Sequence, residues 1–169
     1  DNSGNNSNVW QKSTAQTWCK NFYSNNFSSK EQNAVLATTK SDSAYTSTSF
    51  GYAYGVSSLS GDKVFFLSAE EVRKAAYGFI DDNARIANYG DSAGGWWLRS
   101  PHRDYTYNAG LVLIDGYVIN SPVNFFWAAR PAFNLDLNSV LFISAAEGGK
   151  ISAAASGGNQ GGEAAGSIF

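Results

Sequence analysis

His102 is the one histidine of the 169 residues and stands beside Arg103 and Asp104, while Cys19 is the one cysteine. A histidine next to an aspartate could serve a serine-type hydrolase, the imidazole as base and the carboxylate as its orienting partner. That chemistry also needs a nucleophile on a sharp strand-to-helix elbow and an ordered oxyanion loop, and neither pattern occurs. A zinc site made of His and Cys has no ligand set in one residue of each, far apart in sequence. Asp81-Asp82-Asn83 groups oxygen ligands that calcium would accept, but the EF-hand spacing is absent and a solvated loop is the better reading. Glu31 and Glu71 fall three residues after Ser28 and Ser68, the spacing of a capping box, so together with Glu70 they read as helix starts. Gly94-Gly95 follows a loop and opens no helix, which removes it as a phosphate cradle. The chain is therefore expected to carry no catalytic residue, no metal ligand and no cofactor.

Contact chemistry is abundant instead. Gly94-Gly-Trp-Trp-Leu-Arg-Ser-Pro101 and Ala129-Arg-Pro-Ala-Phe133 bracket a segment rich in Tyr, Phe and short polar residues. Arg99 and Arg130 lie in apolar surroundings and read as scaffold, bonded to carbonyls or carboxylates inside the fold. Of Trp96 and Trp97, alternation along an extended chain sends one ring inward and the other outward. Between the brackets, Tyr105, Tyr107, Tyr117, Phe125, Phe126 and Trp127 are expected outside the core. With His102, Arg103, Asp104 and Asn108 they have the composition of a paratope, rigid aromatic area beside adaptable polar groups.

The elements that position these residues are read from period and punctuation. Ala15, Trp18, Cys19, Phe22 and Tyr23 recur at helical spacing, predicting a helix over Thr14 to Tyr23. Ser28 to Glu31 starts a second, through Leu36, and Ser68 to Glu71 a third, through Ala76, with Gly78 at its left-handed end. Thr38 to Ser60 reads as irregular with an extended piece near Tyr52, Lys63 to Leu67 as a buried strand, and Ile80 to Gly95 as polar loop. Ala109 to Ile114 and Tyr117 to Asn120 flank Asp115-Gly116 as a two-residue hairpin. Ala128 to Leu137 reads as a strand with Pro131 at an edge or bulge, and Val140 to Ile143 as one more.

Bulk composition narrows the partners. Charged residues are 15% and net charge is −2, which gives no basic stripe for nucleic acid. No apolar run is long enough to span a bilayer, so no membrane insertion is expected. Asp1 opens a chain without methionine, which reads as a piece of a longer polypeptide. Residues 1–8 are expected as a flexible end, 9–144 as the folded domain and 145–169 as an Ala/Gly/Ser-rich tail.

Trp96-Trp97-Leu98-Arg99-Ser100-Pro101, the Asp115-Gly116 hairpin and Ala129-Arg130-Pro131-Ala132-Phe133-Asn134-Leu135 resemble the end of the C-type-lectin-fold variable proteins of diversity-generating retroelements. The Trp18 to Leu36 helices and Phe65 to Glu71 resemble the same domains, so the likeness runs to about Ser144. The resemblance implies an α+β domain of C-type lectin type, two or three helices packed on a small, twisted, mostly antiparallel sheet. It implies a ligand site rewritten by adenine-directed mutagenesis on a fixed scaffold. Carried over by motif position, the diversified residues are His102, Arg103, Asp104, Tyr105, Tyr107, Leu111, Leu113, Tyr117, Ile119, Ser121, Asn124, Phe125, Phe126 and Trp127. Mutated Asn codons yield this assortment, Trp127 excepted. The implied role is non-catalytic binding of a protein or other macromolecule, in receptor binding or adhesion at a virion or extracellular cell surface. The sugar-binding motifs of calcium-dependent lectins, Glu-Pro-Asn, Gln-Pro-Asp and Trp-Asn-Asp, are absent. The alternatives are a relative of the formylglycine-generating oxidases, which share a similar fold but use a cysteine pair, and a structural surface domain with no specific ligand.

Overall fold

The computed structural model describes residues 8–47 and 50–138. The strand expected at Val140 to Ile143 and the tail from 145 lie outside the described residues. Ser13 Oγ accepts the Gln16 N–H at 3.0 Å and starts α1, Thr14–Asn26. Cys19 on this helix is fully buried, and Ala15, Phe22 and Tyr23 pack against the same cluster. The Ser28–Glu31 capping box forms as expected and launches α2, Ser29–Ala34. That helix stops short of Leu36, because Val35 and Leu36 leave it as strand β1, Val35–Leu36, paired with Leu135 and Asn134.

The stretch expected to be irregular contains β2, Thr38–Lys40, β3, Tyr45–Thr46, β4, Ala53–Tyr54, and β5, Leu59–Asp62. β2 pairs with β5, and β3 with β4. Pieces this short complete too few alternations for a period-2 signal to emerge. The strand expected at Lys63 to Leu67 contracts to β6, Phe65–Phe66, both rings buried. Ser68 and Glu71 exchange their capping bonds, Ser68 N–H to Glu71 Oε2 at 2.8 Å and Glu71 N–H to Ser68 Oγ at 3.1 Å. They lead into two 3-10 turns, Glu71–Arg73 and Ala75–Tyr77, rather than a third α-helix, because Lys74 between them is extended (φ −86°, ψ 114°). Gly78 takes the left-handed conformation expected of it, φ 85°. The polar region before Gly95 folds as a hairpin of β7, Ala87–Tyr89, and β8, Ser92–Gly94.

At the centre lie β9, Trp96–Pro101, β10, Asn108–Val112, and β11, Val118–Pro122, antiparallel in the order β11-β10-β9. On one face Trp96, Leu98, Val112 and Val118 pack with Tyr54, Ala69, Val72 and Phe79. On the other, Trp97 and Arg99 meet the cluster of Trp10, Cys19, Leu59, Val64, Phe65 and Phe66. Both faces of this sheet are therefore covered. The hairpin joining β10 and β11 is longer than a two-residue loop. Leu113 N–H donates to Tyr117 O at 2.8 Å and Gly116 N–H to Leu113 O at 3.0 Å, leaving Ile114, Asp115 and Gly116 as the loop. Gly116 has φ 81°, the left-handed residue that closes a three-residue hairpin, and a Cβ there would strike the backbone of Asp82. The last expected strand is split into β12, Pro131–Ala132, on β6 and β13, Asn134–Leu135, on β1. The described residues thus form a mixed α+β domain, with two α-helices and several small antiparallel sheets.

Arg99 ties these pieces together as scaffold. Its Nε donates to Ser57 O at 2.9 Å, Nη1 to Phe66 O at 2.7 Å and Glu71 Oε2 at 2.5 Å, and Nη2 to Asp42 Oδ1 at 2.6 Å. Lys40 also pairs with Glu71. Burial would raise the Glu71 carboxyl, but the Arg99 hydrogen bond and charge, with Lys40 and the Ser68 amide, hold it below its ordinary value. Burial prevails at Asp42, whose carboxyl is raised despite Arg99. Replacing Arg99 by Ala strands two buried carboxylates and is expected to cost about 3–5 kcal/mol in urea unfolding, against about 0.5 kcal/mol or less for Arg103→Ala on the surface. Equal costs for the two would contradict this structural role.

Candidate functional site

The loops between the brackets are pinned at both ends. Asn8, expected within the flexible end, is buried, and its Nδ2 donates to the carbonyls of His102 (3.3 Å), Tyr105 (3.1 Å) and Asn108 (2.7 Å). Asn8 N–H bonds Thr106 O at 3.3 Å. From inside, His102 Nδ1 accepts the N–H of Asp104 at 3.1 Å and of Tyr105 at 3.2 Å. The later loop is zipped onto the start of β9, Ala128 N–H to Gly95 O at 3.0 Å and Trp97 N–H to Ala128 O at 3.1 Å. The Trp127 ring lies over Gly95, where a Cβ would come within 3.0 Å of it, and Trp127 Nε1 donates to Ser121 Oγ at 3.2 Å. Val123 N–H to Tyr107 O at 2.9 Å joins one loop to the other.

These anchors hold rings in series. Tyr117 meets Phe50 at 5.6 Å, Phe50 meets Tyr52 at 5.8 Å, and Tyr52 meets His102 at 6.4 Å. His102 meets Tyr105 at 4.7 Å, and Tyr105 meets Tyr107 at 6.3 Å. Tyr105, Tyr107, Tyr117 and Phe50 are all exposed. Phe125, Phe126 and Trp127 also line a groove of about 500 Å3, together with Trp10 before α1 and Ala15 and Trp18 on it. Phe126 is 99% exposed. Isolated exposed apolar side chains are ordinary, and what sets these apart is that they adjoin one another.

The residues carried over by motif position divide by burial. Arg103, Asp104, Tyr105, Tyr107, Tyr117, Asn124, Phe125, Phe126 and Trp127 are exposed, and Leu113 and Ile119 are half-buried. Leu111 is fully buried and belongs to the core rather than to a ligand face. Its neighbours across the sheet are Trp97 and Ile119, on the face that the helical side of the domain covers. Ser121 and His102 are buried as well, and act through Trp127 and the 104–105 amides. Sequence reasoning missed Phe50, Tyr52 and Trp18 as parts of the surface, and Asn8 as its clamp. Phe50 and Tyr52 lie in the stretch without period, and Trp18 has the helical spacing of a core residue.

The titratable groups have settled positions. Burial lowers the His102 pKa from its ordinary value, with Asp104 opposing and Arg103 reinforcing the shift. Burial, with the charge of Asp62, pushes the Cys19 thiol up to about 12, which leaves it protonated and a poor nucleophile. Asp82 pairs with Arg85 and Asp81 Oδ1 accepts the Ala84 N–H at 2.9 Å, so both carboxylates are engaged within their own turn. Among the described residues no three His, Cys, Asp or Glu side chains converge. The Arg130 guanidinium lies 4.6 Å from the Trp96 ring centre and 5.8 Å from that of Phe79, and burial lowers its pKa.

Fold and surface define a small α+β domain that presents an aromatic face on fixed loops. Residues 1–137 match the family described as a domain of unknown function, DUF6273, and the chain belongs to that family. No curated protein and no solved structure matches the chain.

Replacing Tyr105, Tyr117 and Phe125 together by Ala is expected to leave the thermal midpoint within about 5 °C, since none of the three is core. Leu111→Ala, by contrast, is expected to cost about 2–5 kcal/mol. A collapse of the triple variant in a calorimetric scan would show that the ridge is part of the core.

Proposed function

We propose that this domain is a non-catalytic recognition module, a C-type-lectin-type scaffold that binds a protein or other macromolecule through diversified loops at a virion or cell surface. The observation that carries the reading is the ridge of exposed rings held on loops pinned from both sides. Tyr and Phe supply area at small entropic cost, and pre-ordered loops lose little further freedom on binding. The contacts are assigned to Arg103, Asp104, Tyr105, Tyr107, Tyr117, Asn124, Phe125, Phe126 and Trp127, with Phe50 and Tyr52 extending the face. The lectin-type scaffold is supported by helices gathered ahead of a small antiparallel sheet, and by the resemblance of the WWLRSP and RPAFNL segments. The non-catalytic reading is supported by Cys19, sealed in the core and lacking a partner thiol for oxidase chemistry.

The test is a displayed library randomised at Arg103, Asp104, Tyr105, Tyr107, Asn124, Phe125 and Phe126, panned against immobilised lysozyme. Folded clones with a Kd of about 1 µM or tighter are expected, their binding lost on reversion to the parent residues. A library whose clones unfold, or which yields no binder above the parent, refutes the proposal.

A further inference from the structure

His102 sits at the middle of the ridge yet is only 6% exposed. Its Nδ1 accepts two backbone N–H bonds, from Asp104 and Tyr105. An imidazole nitrogen accepts only through its lone pair, so this loop conformation selects the neutral ring with its proton on Nε2. Adding a proton to Nδ1 would turn that nitrogen into a donor facing two donors, and both bonds would be lost.

The groups around the ring leave the titration to burial. The rings of Tyr52, Tyr54 and Tyr105 face it. Asn8 holds its carbonyl and Asn108 O accepts its N–H, both neutral. The charged neighbours are Asp104 and Arg103, of opposite sign, mostly exposed, and paired with each other at 3.3 Å. Arg73 lies over the Tyr45 ring, and its charge acts on Tyr54.

We propose that the His102–Tyr107 segment is an acid-released recognition loop: neutral His102 holds Asp104 and Tyr105 in the binding conformation, and protonation of the imidazole lets them go. Its use in releasing ligand rests on the recognition reading above; the loop transition itself does not. The sign follows from the depressed pKa. The opened loop takes a proton at the ordinary value near 6.5 and the closed loop only at lower pH. Closure is therefore fully stable above that value and weakens as pH falls toward the closed-loop pKa. The Asn8 clamp does not titrate and keeps the carbonyls of His102, Tyr105, Thr106 and Asn108 in place, so the change is confined to the Asp104 and Tyr105 amides.

The test combines imidazole 15N titration with amide hydrogen exchange at Asp104 and Tyr105, the amides of Leu111 and Val112 serving as internal reference, on the protein without ligand. Between about pH 7.5 and pH 5, intrinsic-rate-corrected protection at 104 and 105 is expected to fall about tenfold relative to the reference, tracking ring protonation. His102→Asn, which keeps an acceptor and cannot titrate, should remove the pH dependence. If that variant fails to fold, the wild-type titration and exchange decide alone. A proton on Nδ1 at neutral pH, protection that stays constant while the ring titrates, or core amides that open together with the loop would each overturn the proposal. Failure here leaves the library result untouched, and failure of the library leaves the loop transition standing.

Discussion

The guanidinium of Arg99 is the point at which this small domain is joined. Arg99 stands on β9, an outer strand of the three, and its donors reach a carbonyl before β5, a carbonyl of β6, the capping carboxylate Glu71 and the buried Asp42. Many of the domain's elements are too short to bury an apolar face of their own, and strands of two residues have little independent stability. One planar cation with fixed donors fastens four such segments in register at once. Buried charge is costly when its partner is missing, so any assembly that omits Arg99 or either carboxylate is penalised.

What that junction supports is a division between covered sheet and uncovered loops. Trp96, Val112 and Val118 fill one side of the central sheet and Trp97 with Leu111 the other, so both faces of the sheet are largely covered. The exposed side chains gather instead on the connections. Those connections are not loose, because the buried Asn8 and His102 both bind the 102–108 loop, and Trp127 on Gly95 seats the other. A surface of exposed rings on such loops changes its chemistry with little consequence for folding.

Much of this was legible in the sequence where the signal is local. The Ser28–Glu31 box, the helical face around Cys19, the left-handed Gly78 and the inward Arg99 each follow from one or two neighbouring residues and from burial chemistry. Three features were not. Leu111 shows the alternation of a strand, and alternation names two faces without saying whether the second is wet or covered. Ser68 to Glu71 carries a capping signal, but the glutamate is shared with Arg99 and Lys40, and the chain turns extended at Lys74. Phe50, Tyr52 and Asn8 join the surface only through contacts across long stretches of chain, which no window along the sequence contains.

The central claim, a fixed scaffold bearing a face built to vary, is met most directly by comparing this coding sequence with repeats of its own 3′ portion in the surrounding DNA. The account predicts a template copy near a reverse transcriptase, differing at adenines within the codons for the exposed residues from Arg103 to Trp127, while the codons for Trp96 to Ser100 and Arg130 to Leu135 agree. Substitutions spread equally through the WWLRSP and RPAFNL codons, or copies identical throughout the loops, would contradict it.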